Sequence, residues 1–159
     1  MSCHPLFTLA GVICLSTAGL ASAAEPILTV RTGTNEAATR HFDMAALDLL
    51  PQQSFATSTV WTTGVHQFSG PSLKTVLDSL GAQGATVHAR ALNDYAITIP
   101  FASLSDTAPI IATRIDGQPY SRREKGPLWI MYPFDSDEGF HTETIYGRSI
   151  WQLRELAVE

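Results

Sequence analysis

The sequence has very little cysteine. Among its 159 residues, only Cys3 and Cys14 are cysteines, and residues 15–159 contain none. That part of the chain therefore cannot hold a disulfide framework, a thiolate metal site or a cysteine nucleophile. The absence also suits an oxidising compartment, where an unpaired thiol is a liability. Any chemistry carried by residues 15–159 must use other residue types.

Positive charge is scarce as well. Ten Lys and Arg stand against fifteen Asp and Glu, which gives a formal net charge of −5 at pH 7. A protein that binds nucleic acid needs a basic face that neutralises phosphates, and the sequence offers no basic stripe. We therefore expect no nucleic-acid partner.

Long apolar runs are absent after residue 24, but one stands near the start of the sequence. Residues 6–20 are almost all apolar, and Ala21-Ser22-Ala23-Ala24 follows them. Small residues in this position are typical of a signal-peptidase cleavage site. The run is also shorter than the roughly 20 residues that span a bilayer. We expect residues 1–23 to be a signal peptide and residues 24–159 to form one periplasmic domain that is not inserted in a membrane.

Two alternatives to cleavage stay open. Residues 1–4 contain no Lys or Arg, which is unusual for a signal peptide and leaves an uncleaved N-terminal anchor as the rival interpretation. A lipoprotein attached through Cys14 is less favoured, because Cys14 lies inside the apolar run and not at its end.

The periodicity of residues 24–159 predicts many short strands and a few short helices. Asp43 is a favourable N-cap for a helix that ends at Leu50, Gly70-Pro71-Ser72 opens a helix that ends near residue 80, and residues 100–104 predict one helical turn. Asp116-Gly117 predicts a two-residue hairpin turn, and residues 135–139 predict a polar loop. Strands are predicted over residues 27–31, 53–61, 86–92, 95–99, 110–115, 128–132 and 141–146. This pattern predicts a single α+β domain built on a mixed sheet.

The common catalytic signatures are missing. The sequence has no G-x-S-x-G elbow, phosphate loop, dinucleotide fingerprint or C-x-x-C-H site. The acidic 135–138 loop lacks the spacing of a calcium motif, so a solvated loop is favoured. The histidines after residue 24 are too dispersed to favour a composite metal site over surface or core positions; they are His41, His66, His88 and His141.

One segment combines groups suited to a flat ligand. Residues 146–151 place a guanidinium, a hydroxyl and two aromatic rings beside Gly147. A planar heteroaromatic ligand needs apolar faces for stacking and planar donors for its ring acceptors. The alternative is that Arg148 pairs with Asp135 or Glu138 while Trp151 fills the core, and the spacing does not choose between them. Trp129 has only apolar neighbours, so we expect it in the core.

Four segments in order carry a family resemblance. They are Phe68-Ser69-Gly70-Pro71-Ser72-Leu73, Leu92-Asn93-Asp94-Tyr95, Gly126-Pro127-Leu128-Trp129 and Arg148-Ser149-Ile150-Trp151-Gln152-Leu153. Together they resemble the oxidoreductase molybdopterin-binding domain, and the resemblance implies the α+β sulfite-oxidase fold. In catalytic members of that family a cysteine thiolate binds molybdenum, whereas this sequence has no cysteine after Cys14.

A stand-alone domain without that cysteine is similar to small periplasmic pterin-binding regulators. The resemblance implies a protein that is not an enzyme, holds no molybdenum and binds a reduced pterin. It also implies a partner, the periplasmic region of an inner-membrane receptor that controls cyclic-di-GMP. Separately from the resemblance, we expect the acidic loop of residues 135–138 to contact this partner. Carried over by position, the expected ligand-binding residues are Trp61, Asn93, Asp94, Tyr95, Tyr146, Arg148, Ser149 and Trp151.

Expected roles follow from the chemistry of the pterin edge. An Asp carboxylate accepts from the 2-amino group and N3, and an Arg donates to O4. Two other functions stay open. One is a molybdopterin-dependent oxidoreductase of unusual ligation, or an accessory subunit of one. The other is a protein–protein interaction module with a vestigial pocket.

Overall fold

The structure is a computed structural model that describes residues 25–33 and 38–159. The expected signal peptide, residues 1–23, lies outside the described residues. Within the described ranges, no helix combines the length and apolar character needed to cross a membrane.

Short strands make up most of the regular structure. The strands are β1 Leu28–Thr32, β2 Thr39–Phe42, β3 Gln52–Ser58, β4 Val65–Pro71, β5 Thr86–Ala91, β6 Ala96–Pro100, β7 Ile110–Ala112, β8 Arg114–Ile115, β9 Gln118–Pro119, β10 Trp129–Met131 and β11 Leu153–Val158. The helices are α1 Met44–Asp48, α2 Leu73–Asp78 and α3 Glu143–Arg148. Single 3₁₀ turns occur at Phe101–Ser103, Arg122–Glu124, Phe134–Ser136 and Glu138–Phe140.

The strands form a mixed sheet and two antiparallel ones. The largest has the order β2-β1-β11-β5-β6, in which β1 and β11 are parallel and the other neighbours are antiparallel. A second sheet has the order β3-β4-β8-β9, and β10 pairs with β7. The predicted α+β class with a mixed sheet and short helices is therefore confirmed.

The predicted strand 110–115 divides between two sheets at Thr113. Before it, β7 pairs with β10, and after it, β8 pairs with β4. The amide of Thr113 donates to the Ser69 carbonyl at 2.9 Å. Strand β4 approaches so closely here that a Cβ on Gly70 would overlap the backbone of Ile111. Glycine at position 70 is therefore required by this close approach.

Asp43 caps α1 as the sequence predicts, and Ser72 caps α2. The Asp43 side chain accepts from the amide of Ala46 at 2.7 Å at the start of α1. The Ser72 hydroxyl accepts from the amide of Thr75 at 2.9 Å at the start of α2. Each side chain satisfies one of the amide donors that a first helical turn leaves unpaired.

The predicted strand over residues 141–146 is wrong. Residues Glu143–Arg148 form helix α3 instead, and the Thr142 hydroxyl caps it by accepting from the amide of Ile145 at 3.2 Å. The Thr, Ile and Tyr of this segment favour a strand, but the cap and Glu143 in the first turn favour a helix. Strands β2 and β4 were not predicted, and β11 lies in a segment that the sequence left unassigned.

Trp129 occupies the core, as expected. It is 1% exposed, and its Nε1 donates to the backbone carbonyl of Ser149 at 3.0 Å. Its ring meets the ring of Phe68 edge to face at 5.9 Å between centroids. Strand β10 is thereby fixed to the segment that follows α3, where the candidate site lies.

Candidate ligand site: a cavity walled by aromatic rings

A cavity of about 400 Å³ lies where four segments of the chain meet. These segments are the β3–β4 loop, the β5–β6 turn, the end of α3 and the stretch before β11. We call it the aromatic cavity. Its wall consists of Trp61, Ala91, Asn93, Tyr95, Tyr146, Gly147, Ser149, Ile150 and Trp151.

Trp61 lies at the centre of a set of rings. It meets Trp129, Tyr146 and Trp151 edge to face, with centroids 5.8, 5.9 and 6.0 Å away. Its backbone is held by the Thr59 hydroxyl, which accepts from the amide of Trp61 at 3.1 Å and from that of Thr62 at 3.0 Å. Both the ring and the main chain of Trp61 are therefore positioned without a ligand.

Tyr146 is the second ring that the cavity holds in a defined orientation. It stacks on Phe134 with centroids 5.1 Å apart and an interplanar angle of 28°. Its hydroxyl lies 3.1 Å from Nδ1 of His141. Packing on one face and a hydrogen bond at the tip thus fix the Tyr146 ring, which lies on helix α3.

Asn93 is the polar side chain that the β5–β6 turn places in the wall. Its Oδ1 accepts from the amide of Tyr95 at 3.2 Å, the local bond that asparagine makes in turns. No other residue in the described ranges is hydrogen-bonded to its Nδ2 group. The hydrogen bond at Oδ1 therefore fixes the orientation of the Asn93 amide, and its two N–H donors are available to a ligand.

Two further contacts close the wall between the turn and α3. The Tyr95 hydroxyl donates to the Gly147 carbonyl at 3.4 Å, and the Ser149 hydroxyl donates to the Ile145 carbonyl at 3.0 Å. Ser149 is 2% exposed. Because the Ser149 hydroxyl uses its proton in this hydrogen bond, it can serve a ligand only as an acceptor.

The structure brings most of the residues predicted for ligand binding to one place. Trp61, Asn93, Tyr95, Tyr146, Ser149 and Trp151 line the aromatic cavity, whereas Asp94 and Arg148 do not. The sequence also missed three wall residues, Ala91, Gly147 and Ile150. Gly147 and Ile150 lie inside the predicted 146–151 segment, so continuity with their neighbours was the signal that pointed to them.

Asp94 is directed to other partners. It has a φ of 65° in the β5–β6 turn, and its Oδ1 lies 3.3 Å from the Arg154 guanidinium. Its carboxylate is thus engaged in an exposed ion pair on β11. The expected acceptor for a pterin edge is not in the cavity wall.

Arg148 lies in neither of the two positions expected from the sequence, which were the ligand site and an ion pair with Asp135 or Glu138. It does not line the cavity, and it forms no ion pair with Asp135 or Glu138. Asp135 instead accepts from the amide and the hydroxyl of Ser58, at 2.6 and 2.7 Å. Burial raises the pKa of the Tyr132 phenol to about 12, and the positive charge of Arg148 opposes this rise. No described group pairs with the Tyr132 hydroxyl.

The chemistry of the wall is apolar with a few neutral polar groups. Among the described residues, no Lys, Arg, Asp or Glu lines it. In the parts of the chain that the structure describes, no three His, Cys, Asp or Glu side chains cluster closely enough to hold a metal ion. A wall of this kind suits an aromatic ring with a small number of hydrogen-bonding edge groups.

A larger groove lies elsewhere and has a different character. It encloses about 1280 Å³ along β1, β2 and β11, and it contains the partly exposed Arg31–Glu155 ion pair. None of the predicted ligand-binding residues lines it. Because it is broad, exposed and charged, the smaller aromatic cavity is the better candidate for a ligand site.

Comparison with known proteins gives a structural likeness alone. No protein-family model matches the sequence, and no curated protein matches it. Among solved structures, it is similar to the sulfane dehydrogenase SoxCD from Paracoccus pantotrophus, with a TM-score of 0.62 and 16% sequence identity. The alignment covers 82% of this chain and 37% of that chain. The two chains therefore share a fold, and this chain spans less than half the length of its neighbour.

Proposed function

We propose that this protein binds a reduced pterin in the aromatic cavity and is not an enzyme. The observation that carries the proposal is the arrangement of Trp61, Tyr146 and Trp151 around a cavity of about 400 Å³. Flat apolar faces stabilise a bound heteroaromatic ring, and edge-to-face packing among the protein's own rings keeps those faces in place.

Asn93 supports a ligand with acceptors on its edge. A pterin is flat and carries ring nitrogens and a carbonyl oxygen along its edge. The Nδ2 group of Asn93 donates to such acceptors, while its Oδ1 stays bound to the Tyr95 amide. Asn93 is exposed in the ligand-free protein, and a purely hydrocarbon ring that covered it would displace water from these donors without replacing the hydrogen bonds, which is unfavourable.

The residues of the wall do not fit a molybdenum cofactor. Cofactors of this class are held by a cysteine thiolate and by cationic side chains at the phosphate, and the wall contains neither. Oxygen donors replace a soft sulfur ligand poorly. The pterin ring alone matches the wall, so we propose no redox step.

The likeness to a sulfane dehydrogenase supports the finer proposal that the domain has the sulfite-oxidase fold. The same likeness favours the second candidate function, a molybdopterin-dependent oxidoreductase or an accessory subunit of one. At 16% identity over part of that chain, the likeness supports the fold more strongly than it supports the activity. The composition of the cavity wall makes us prefer the binding protein.

Export and signalling are further parts of the proposal. We propose cleavage before Ala24 or Glu25 and a periplasmic location, supported by the residue pattern of the first 24 positions. We also propose that the protein reports its ligand state to the periplasmic region of an inner-membrane receptor that controls cyclic-di-GMP. Such reporting requires that the ligand-free and ligand-bound forms bind the receptor with different affinities.

Calorimetric titration tests the binding proposal. Dihydroneopterin, a reduced pterin, should bind the purified protein with micromolar or tighter affinity, and adenine serves as a flat control ligand. Elemental analysis of protein produced with ample molybdate separates the two candidate functions. Molybdenum far below one atom per chain supports the binding protein, whereas near-equimolar molybdenum supports the oxidoreductase.

A further inference from the structure

His66 lies between two acceptors on different parts of the fold. Its Nδ1 is 2.7 Å from Oδ2 of Asp116, and its Nε2 is 2.9 Å from the carbonyl oxygen of Thr63. A neutral imidazole has one N–H donor, whereas an imidazolium has two. Because a carboxylate and a carbonyl only accept, both contacts are hydrogen bonds only when His66 is protonated.

These contacts connect the Trp61 loop, residues 59–64, to the β8–β9 turn. Thr63 belongs to the loop, and Asp116 is the first residue of the turn. The other carboxylate oxygen of Asp116 accepts from the amide of Gln67 at 2.9 Å, so the carboxylate is fixed on β4 as well. At the opposite end of the loop, Thr59 holds the amide of Trp61. The loop is therefore fixed at both ends, with Trp61 between them.

We propose that His66 is a positioning residue for the aromatic cavity, and that its protonation fixes the Trp61 loop and strengthens ligand binding. The part concerning ligand affinity rests on the proposed function, whereas the part concerning the loop does not. His66 does not line the cavity, so it acts through Thr63 and the course of the loop that presents Trp61.

The charges around His66 make Asp116 its controlling partner. Residues 59–64 contain no ionisable side chain, and the residue opposite His66 on β3 is the neutral Thr57. Asp135 is bound to the adjacent Ser58, but the positive charge that acts on it comes from His141. The hydrogen bond to Asp116, followed by the smaller effect of the Thr63 carbonyl, raises the pKa of His66 above its ordinary value.

The direction of the pH dependence follows from that shift. A histidine whose pKa is raised in the fold stabilises the fold fully below its unfolded-state pKa, and this contribution is lost as the pH rises through the folded-state value. After deprotonation one N–H remains, and the carboxylate is the stronger acceptor. The nitrogen that faces Thr63 then has a lone pair directed at the Thr63 carbonyl oxygen. Because two acceptors repel each other, this hydrogen bond is lost and the loop is released.

His141 is the histidine that contacts the cavity wall directly, through the hydroxyl of Tyr146. Its effect on the site must therefore be separated from that of His66. A matched pair of variants, His66→Gln and His141→Gln, distinguishes the two. Asp116→Asn is a third variant that keeps the turn, because asparagine tolerates the positive φ of 49° at this position.

The test uses the ligand-free protein first. The chain has three tryptophans, so the indole N–H resonance of Trp61 can be assigned with Trp61→Phe and followed by NMR against pH. We expect it to shift with the same midpoint as the ring protons of His66. His66→Gln should abolish the shift, Asp116→Asn should move it to lower pH, and His141→Gln should leave it in place. The proposal is overturned if the Trp61 resonance does not shift with the His66 midpoint in the wild type, or if the same shift persists in His66→Gln.

Titration with dihydroneopterin then tests the coupling to the ligand. The affinity of the wild type should fall by about threefold to tenfold as the pH rises through the His66 midpoint, which is the worth of about one hydrogen bond. The affinity of His66→Gln at the same pH values should lack this fall, so ionisation of the ligand itself cancels in the comparison. If Trp61 follows His66 but the pterin binds at no pH, the proposed function fails and the loop mechanism stands. Equal pH profiles of affinity in both proteins overturn the coupling.

Discussion

The indoles of Trp61 and Trp151 meet edge to face, with ring centroids 6.0 Å apart and an interplanar angle of 71°. Trp61 makes the same kind of contact with Trp129, which is buried, whereas Trp151 is 36% exposed. The three indoles thus lead from the core to the surface through the cavity wall. Trp151 is the ring that a ligand can displace or cover with the smallest effect on the fold.

Trp151→Ala should weaken binding of dihydroneopterin by about fivefold, because an aromatic contact is worth about 1 kcal/mol. The melting temperature should also fall, because Trp151 packs edge to face on Trp61 and Trp129, so affinity is measured at a temperature where the variant is folded. Calorimetric titration and thermal unfolding measure the two effects. Val60→Ala is the matched control, because Val60 is exposed beside Trp61 but does not line the cavity. Unchanged affinity in Trp151→Ala would place the ligand elsewhere.

Asn93→Asp isolates the donors of the Asn93 side chain. Aspartate keeps the oxygen that accepts from the Tyr95 amide but replaces the N–H donors with an acceptor. Affinity for the pterin should fall by about threefold to tenfold, the equivalent of one lost hydrogen bond. Thermal unfolding should show a fold of nearly unchanged stability. Equal affinity in Asn93→Asp and the wild type would contradict a role for Nδ2 as donor.

Arg148 is the residue for which the structure changes the expectation most. The Arg148 side chain does not line the cavity. The affinities of Arg148→Ala and Arg148→Lys for dihydroneopterin should therefore lie within about twofold of the wild-type affinity, because substitutions away from a contact have small effects. Competition binding at one ligand concentration is sufficient to measure this. A loss of tenfold or more in both variants would place the guanidinium on the ligand, as the sequence had indicated.

Asp135 should make stability depend on pH. Its hydrogen bonds with the Ser58 hydroxyl and amide lower the pKa of its carboxyl. A carboxyl whose pKa is lowered in the folded protein stabilises the fold at pH values above its unfolded-state pKa. This stabilisation is lost as the pH falls through the folded-state pKa. Asp135→Asn should therefore melt at a lower temperature than the wild type at pH 7, and the difference should shrink toward about pH 3.

Glu138→Gln is the control for this pH profile, since it makes the same change of charge in the same loop at an exposed position. It should melt like the wild type across the range. If Asp135→Asn and Glu138→Gln showed equal profiles, the effect would be one of net charge and not of the bonds to Ser58.

Local chemistry made several elements predictable. The caps Asp43 and Ser72 have short-range partners, so their helices could be recognised from adjacent residues. Alternation and a turn identified the β5–β6 hairpin. Helix α3 was mistaken for a strand because its β-branched and aromatic residues outweighed the Thr142 cap. Strand β4 carries no clear alternation, and its pairing with β3 and β8 is a tertiary effect.

The sequence identifies the segments that form the site, but not which of their side chains face the cavity. The 146–151 segment and the β5–β6 turn could be identified from residue type and resemblance, and both reach the wall. Which side chains of those segments face the cavity depends on the direction of α3 and on the turn at Asp94, and neither is visible in the sequence. The connection of His66 to Asp116 spans 50 positions, so no local pattern indicates it.

Mass spectrometry of the small molecules released from the protein tests the central claim most directly. The protein is purified from the expressing cells under reducing, oxygen-free conditions, and its extract is compared with that of Trp151→Ala prepared in parallel. We expect a pterin near one molecule per chain from the wild type and much less from the variant. A wild-type extract without any pterin, from protein that also fails to bind added dihydroneopterin, would contradict the account.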